Sequence, residues 1–189
     1  MQETSYYSSE ELKKIGFGEI GSNVLVSRKS SFYSPEKIKL GSNIRIDDFC
    51  ILSGNITLGN YVHIGAYSGI FSGDAHVRMG NYTSLSSKCS IYAASDDYSG
   101  AGMTNPTVPS EYKKVYQADV EIRDHSIIGT GSTILPGVTI AEGCSFGACS
   151  LINRDTEEWS VNGGVPAKKL KDRKRDILQI VKKLEEESK

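Results

Sequence analysis

The feature that most constrains this chain is a period of six in its aliphatic residues. Ile122, Ile128, Ile134 and Ile140 share one register, which upstream runs through Leu40, Ile46, Leu52, Leu58, Ile64 and Ile70. After a three-residue insertion it resumes at Met79, Leu85 and Ile91, and at the front it passes through Ile20, Val26 and Phe32. Six matches neither the 3.6-residue period of an amphipathic helix nor the two-residue period of a single strand. It fits a solenoid in which each hexad is a short strand and a turn, three to a coil. Coils then begin near Ile20, Leu40, Leu58, Met79, Ile122 and Ile140, stacked at the ~4.8 Å strand spacing. The expected class is mainly β, a left-handed parallel β-helix forming a short prism.

The fifth position of each hexad is expected to be small and inward. Ile44, Cys50, Val62, Ser68, Thr83, Cys89, Ser126, Val138 and Cys144 fall there. Three of the four cysteines are thereby assigned to the core as small hydrophobes rather than nucleophiles. Glycine or Asn-like residues follow at the corner, where a missing Cβ relieves positive φ. Two breaks interrupt the register. One is the bulge Gly73-Asp74-Ala75-His76; the other is a polar, proline-marked excursion from about Asp97 to Asp119. Long loops on a rigid scaffold usually carry function.

The ends read as helices. Ser8 with Glu11 is a capping box opening a helix over Ser9 to Ile15, which ends near Gly16 and covers the first coil. Leu170, Ile177, Ile180, Val181 and Leu184 recur at helical spacing. The basic run Lys168 to Arg175 is read either as a solvated helix face or as an anion site. The division expected is one domain over 1–189: a helical cap at 1–19, the β-helix at 20–165 with its excursion at 97–119, and a C-terminal helix at 166–189. A net charge of -1 argues against nucleic acid or an anionic membrane as partner. No apolar run is long enough for a membrane span. The start MQETSYYSSEELKK has no apolar signal region, so a cytoplasmic location is expected.

The repeats, the excursion, and ILPGVTIAEGCSFGACSLI (134–152) followed by GGVPAKKL (163–170) together resemble the hexapeptide-repeat acetyltransferases. The branch includes galactoside, maltose and xenobiotic O-acetyltransferases and the sugar-nucleotide acetyltransferases of bacterial surface-polysaccharide synthesis. This resemblance implies acetyl-CoA as acyl donor and a homotrimer with sites at the subunit clefts. It implies that backbone around Ser132, Gly147 and Ala148 meets the pantetheine, with Pro166, Ala167, Lys168 and Lys169 by the nucleotide phosphates. Free backbone groups beside small side chains suit pantetheine amides, and lysines suit phosphates.

In the O-acetylating branch a histidine followed by proline supplies the base. Here Asp96 and Asp97 stand at those two places. A carboxylate of ordinary pKa near 4 is a poor base for an alcohol, whereas a neutral amine attacks a thioester unaided. The acceptor expected is therefore the amine of a nucleotide-linked deoxy-amino sugar, with Asp96 or Asp97 orienting it. O-acetylation of a sugar hydroxyl by His63 or His76 is the alternative. His76 and Asp97 have equal offsets in successive coils, so a His76–Asp97 pair is a further expectation. Asp74 resembles the branch's sugar-hydroxyl ligand, Tyr98 is a candidate substrate contact, and His125 is expected on the surface. No metal site is expected: a carbonic-anhydrase-like lyase would need three converging histidines. A non-catalytic solenoid is the remaining reading.

Overall fold

The computed structural model describes residues 5–187; positions 1–4 of the expected cap and 188–189 of the expected terminal helix lie outside them. The six-residue register closes into a three-sided parallel β-helix. On one face Ile20, Leu40, Leu58, Met79, Ile122 and Ile140 are paired in succession. A second face stacks Val26, Ile46, Ile64, Leu85, Ile128 and Phe146. The third stacks Phe32, Leu52, Ile70, Ile91, Ile134 and Ile152. Except for half-buried Ile20 and Phe32, these residues are buried and fill the prism. Cys50, Cys89 and Cys144 lie among them, and burial pushes the Cys50 and Cys89 thiols up. Cys149 alone of the four is exposed.

Positive φ falls at position four of the hexad, on asparagine or glycine as expected at Asn23, Asn43, Gly131, Gly137 and Gly143, and also on Tyr61, Tyr82 and His125; the glycine directly after the aliphatic residue does not carry it. That glycine gives clearance instead: a Cβ on Gly41 would collide with the Gly59 carbonyl oxygen of the next coil. At position three a ladder of side chains satisfies backbone donors. Asn60 accepts from the Ser42 N–H, Asn81 from Asn60, and Asp124 from Asn81, each at 2.8 Å.

Helix α1 (Ser9–Ile15) carries the complete capping box with Ser8 and Glu11 and buries Leu12 against the first coil. Arg28 holds Glu11 with two hydrogen bonds of 2.8 and 2.7 Å. At the other end the expected helix from 166 is corrected. Lys168–Asp172 is a strand pairing antiparallel with Ser160–Gly163, and helix α2 spans Ile177–Glu187. Leu170 therefore lies on a strand, 68% exposed, and is not part of the helical stripe. The basic run is neither a helix face nor wholly free. Lys169 is paired with Glu157 and Asp172 at 2.7 and 2.9 Å. Arg173 donates to the carbonyls of His125, Gly143 and Cys144.

His125 corrects another expectation: it is buried, 9% exposed. Its ring stacks on Tyr82 at 5.3 Å and meets Trp159 at 6.0 Å. Trp159 folds across Gly143, whose missing side chain leaves the room, and Arg175 caps the column over the Trp159 ring. Helix α2 faces this column across a hollow and reaches it where Tyr82 donates to Glu185 at 2.8 Å; burial, then that hydrogen bond, pushes the Tyr82 phenol up to about 12.

Candidate active site

Both sequence breaks meet at one place. The chain leaves the third face after Tyr92 and forms a short antiparallel ladder, Ala94–Ser95 with Tyr116–Gln117. It re-enters the prism at Val120, paired with Val77. Between the ladder and the next coils lies a groove of about 810 Å³. Tyr92, Ser95, Asp96, Tyr98 and Tyr116 line it from the excursion side, and Thr133, Leu135, Pro136 and Asn153 from the coils. Tyr92 is held by stacking on Phe71, with ring centroids 5.2 Å apart. Tyr98 stands at the groove 94% exposed.

The two aspartates part company here. Asp96 lines the groove, and one of its oxygens accepts from the Asn105 N–H at 3.3 Å. Asp97 lines not the groove itself but an adjoining hollow that shares Asp96, Tyr98 and Tyr116 with it; its carboxylate accepts from the Ser99 N–H at 2.8 Å, and hydrogen bonds from Ser99 hold it below the usual carboxylate range. A base for an alcohol needs a shift in the opposite direction.

The histidines lie elsewhere. His76 Nε2 is 2.9 Å from the Thr57 hydroxyl, Arg78 approaches Nδ1 at 3.4 Å, and the backbone N–H of His76 donates to the Asp119 carboxylate. The expected His76–Asp97 pair is not formed. The excursion carries Asp97 away from the bulge, and Asp119, at the excursion's return, takes the place beside His76. Burial, with Arg78 adding to it, pushes the His76 imidazole down. His63 is on the second face, half-buried, its Nε2 2.8 Å from Asp47, which also holds Arg45 at 2.6 Å. Asp74 is exposed in the bulge, and its carboxylate accepts from the Gln117 carboxamide at 3.0 Å.

The residues expected around the donor lie along the last coils. The Ser132 hydroxyl is internal, donating to the Gly147 carbonyl at 3.3 Å and accepting from the Ser150 N–H at 3.1 Å. Gly147 and Ala148 form an exposed turn. Pro166, after a cis peptide bond, and Lys168 are exposed, while Ala167 is buried and its N–H donates to the Leu151 carbonyl. Ala167, Lys168 and Lys169 border a smaller cavity of about 210 Å³ with Phe146, Asn153 and Glu157. Asn153 lines both this cavity and the groove, so the two adjoin.

Tyr92, Tyr116, Thr133 and Asn153 were not legible as site residues. Tyr92 follows a core isoleucine at an outward position, a pattern shared by many surface side chains. Tyr116 reaches the groove only through an antiparallel pairing inside an irregular segment.

Residues 119–154 match the family model described as bacterial transferase hexapeptide (six repeats). The chain is 42% identical over 179 residues to the dTDP-4-amino-4,6-dideoxy-D-glucose acyltransferase of Escherichia coli, covering 93% of each protein. AntD, an N-acyltransferase from Bacillus cereus solved with dTDP and 3-hydroxybutyryl-CoA, is 44% identical with a TM-score of 0.96, covering 98% of this chain and 99% of that one. A galactoside acetyltransferase solved with coenzyme A is 19% identical, with a TM-score of 0.57 over 88% of this chain and 70% of its own, which shows the shared fold alone. On the full-length likeness to the first two, the chain belongs to the hexapeptide-repeat transferases, as an acyl-CoA-dependent sugar acyltransferase.

Proposed function

We propose that this enzyme acylates the amine of dTDP-4-amino-4,6-dideoxyglucose, and that the groove at the foot of the excursion receives that amine. The observation that carries the reading is Asp96 on the groove wall, where this chain's described lining residues include no histidine. Two further findings support it. The E. coli relative is named for this acceptor. AntD variants crystallised with coenzyme A replace a serine and, ten positions on, an aspartate. Ser86 and Asp96 stand at that separation here, as do Ser87 and Asp97, and of the two aspartates only Asp96 lines the groove.

Bound acyl-CoA supplies the thioester. The chain's own residues fit it along the last coils. Beyond its chain neighbours, a Cβ added at the exposed Gly147 would meet only the Asn162 carbonyl oxygen, at 3.8 Å, which leaves room for the pantetheine arm beside the backbone. Lys169 is held by two carboxylates, so the phosphates fall to Lys168, which has no ion pair among the described residues. Asp96 accepts a hydrogen bond from the acceptor amine, aims its lone pair at the thioester carbonyl, takes the proton as the C–N bond forms and the C–S bond breaks, and passes it to the departing thiolate, which leaves as the free thiol. Tyr98 and Tyr116 flank the sugar.

The assembly proposed is a homotrimer with grooves at the subunit clefts. Tyr98, Met103, Tyr112 and Tyr116 expose apolar surface on the excursion, as an interface would. No helix among the described residues is long and apolar enough to cross a membrane. Acting on two charged nucleotides, the enzyme is placed in the cytoplasm, where its product feeds O-antigen or other surface polysaccharide.

O-acylation is a second reading, favoured by one observation: His63 is oriented by Asp47, as a general base would be. The test compares thiol release from acetyl-CoA with dTDP-4-amino-4,6-dideoxyglucose and with its 4-hydroxy counterpart. Turnover confined to the amine supports the proposal. Turnover of the hydroxyl sugar that disappears in His63→Ala supports the second reading.

A further inference from the structure

The two breaks are tied together by one side chain that the proposed chemistry does not use. Adjacent residues on a strand face opposite sides. Tyr116 faces the groove, and Gln117 faces away from it, toward the bulge. The Gln117 carboxamide meets Asp74 twice: Nε2 donates to the carboxylate at 3.0 Å, and Oε1 accepts from the Asp74 N–H at 2.5 Å. Next to it the His76 N–H donates to Asp119 at 2.8 Å. The approach is close enough to need glycine. At Gly73, where φ is +60°, a Cβ would stand 2.6 Å from Gln117 Oε1 and 2.8 Å from the Ala94 Cβ, touching both strands of the ladder. On its other side the ladder rests on the coils, with the Tyr116 hydroxyl 3.1 Å from where a Gly137 Cβ would stand.

We propose that Gln117 is a positioning residue, clamping the Asp74 bulge to the ladder so that Tyr116 and Asp96 hold the groove at its working width. The assignment rests on the groove being the acceptor site. It also gives Asp74 a structural role, through its backbone donor and one carboxylate oxygen. Two paired residues per strand make a ladder too short to persist alone, so its position depends on what it is fastened to. The clamp is exposed at both ends, so its loss leaves the prism core untouched.

The test uses Gln117→Ala, Gln117→Glu and the exchanged pair Asp74→Asn with Gln117→Glu. In the exchanged pair the carboxylate introduced at position 117 accepts from both the backbone N–H and the new carboxamide of position 74, which restores both bonds. Three quantities are measured: kcat/KM on the amine sugar nucleotide from about pH 5 to 8, thermal midpoint, and tryptic cleavage rate at Lys113 and Lys114. Gln117→Ala is expected to lower kcat/KM on the order of 10- to 100-fold with little change in midpoint. Gln117→Glu is expected to be worse near pH 8, to cleave faster, and to recover activity toward about pH 5, where two facing carboxylates share a proton. Asp119 and His76, the other titratable groups at the bulge, are unchanged in every variant. The exchanged pair is expected within a few-fold of the parent, without that recovery. An exchanged pair no better than Gln117→Glu, or a Gln117→Glu profile parallel to the parent's, overturns the clamp. If the parent turns over no amine sugar, the groove reading fails. The cleavage rates still decide the clamp, which is refuted if Gln117→Glu is cut no faster than the parent.

Discussion

Asp96 and Asp97 differ by one position, yet one lines the groove and the other closes a turn with Ser99. Asp96→Asn keeps the size of the side chain but accepts the amine's hydrogen bond weakly and takes no proton. Its kcat on the amine acceptor is expected to fall on the order of 100-fold, read by thiol release. Asp97 closes a turn of the excursion through the Ser99 N–H. Its folded-state pKa is lowered, so the turn's contribution is fully present above the ordinary value near 4 and is lost as pH falls through the lowered value. Amide exchange at Ser99 to Gly102, corrected for its intrinsic pH dependence, should rise as pH drops below about 4. In Asp97→Asn that rise should be absent. A parent whose protection is flat across this range would contradict the assignment.

At Gly41 and at Gly143 under Trp159, the neighbouring coil or ring needs the side chain to be missing. Gly41→Ala drives a Cβ into the Gly59 carbonyl oxygen, so a coil must shift. Urea unfolding should show a loss of about 1–3 kcal/mol or more. Trp159 joins the terminal hairpin, the buried His125 and Arg175 in one stack. Trp159→Ala should cost about 3–5 kcal/mol, followed by circular dichroism because the chain has no other tryptophan. A Trp159→Ala variant as stable as the parent would mean that α2 and the hairpin cover the column without it.

At the scale of the molecule, the prism was readable because its signal is repeated. Every hexad restates the same inward position, and the three faces appear in the order the period predicts. The capping box of α1 was equally local and equally legible. Legibility ended where single long-range contacts decide the outcome. The period alone did not distinguish a strand from a helix at Leu170, because the antiparallel partner Ser160–Gly163 settles it. Equal offsets suggested that His76 meets Asp97, but offsets hold only inside the repeat, and Asp97 lies in the excursion. His125 faces outward from its coil as expected, and is buried by a tryptophan 34 positions later in the chain. The locations of the two breaks were visible in the sequence; their joining through Gln117 was not, since only the folded register brings residues 74 and 117 together.

The central claim is that acyl transfer occurs to an amine in the excursion groove, served by Asp96 and without a histidine. The most direct measurement is the initial rate of thiol release from acetyl-CoA with dTDP-4-amino-4,6-dideoxyglucose for the parent and for Asp96→Asn, His63→Ala and His76→Ala. The account predicts both histidine variants within a few-fold of the parent and Asp96→Asn down on the order of 100-fold. A parent-like Asp96→Asn beside a histidine variant that has lost roughly 1,000-fold or more would contradict it.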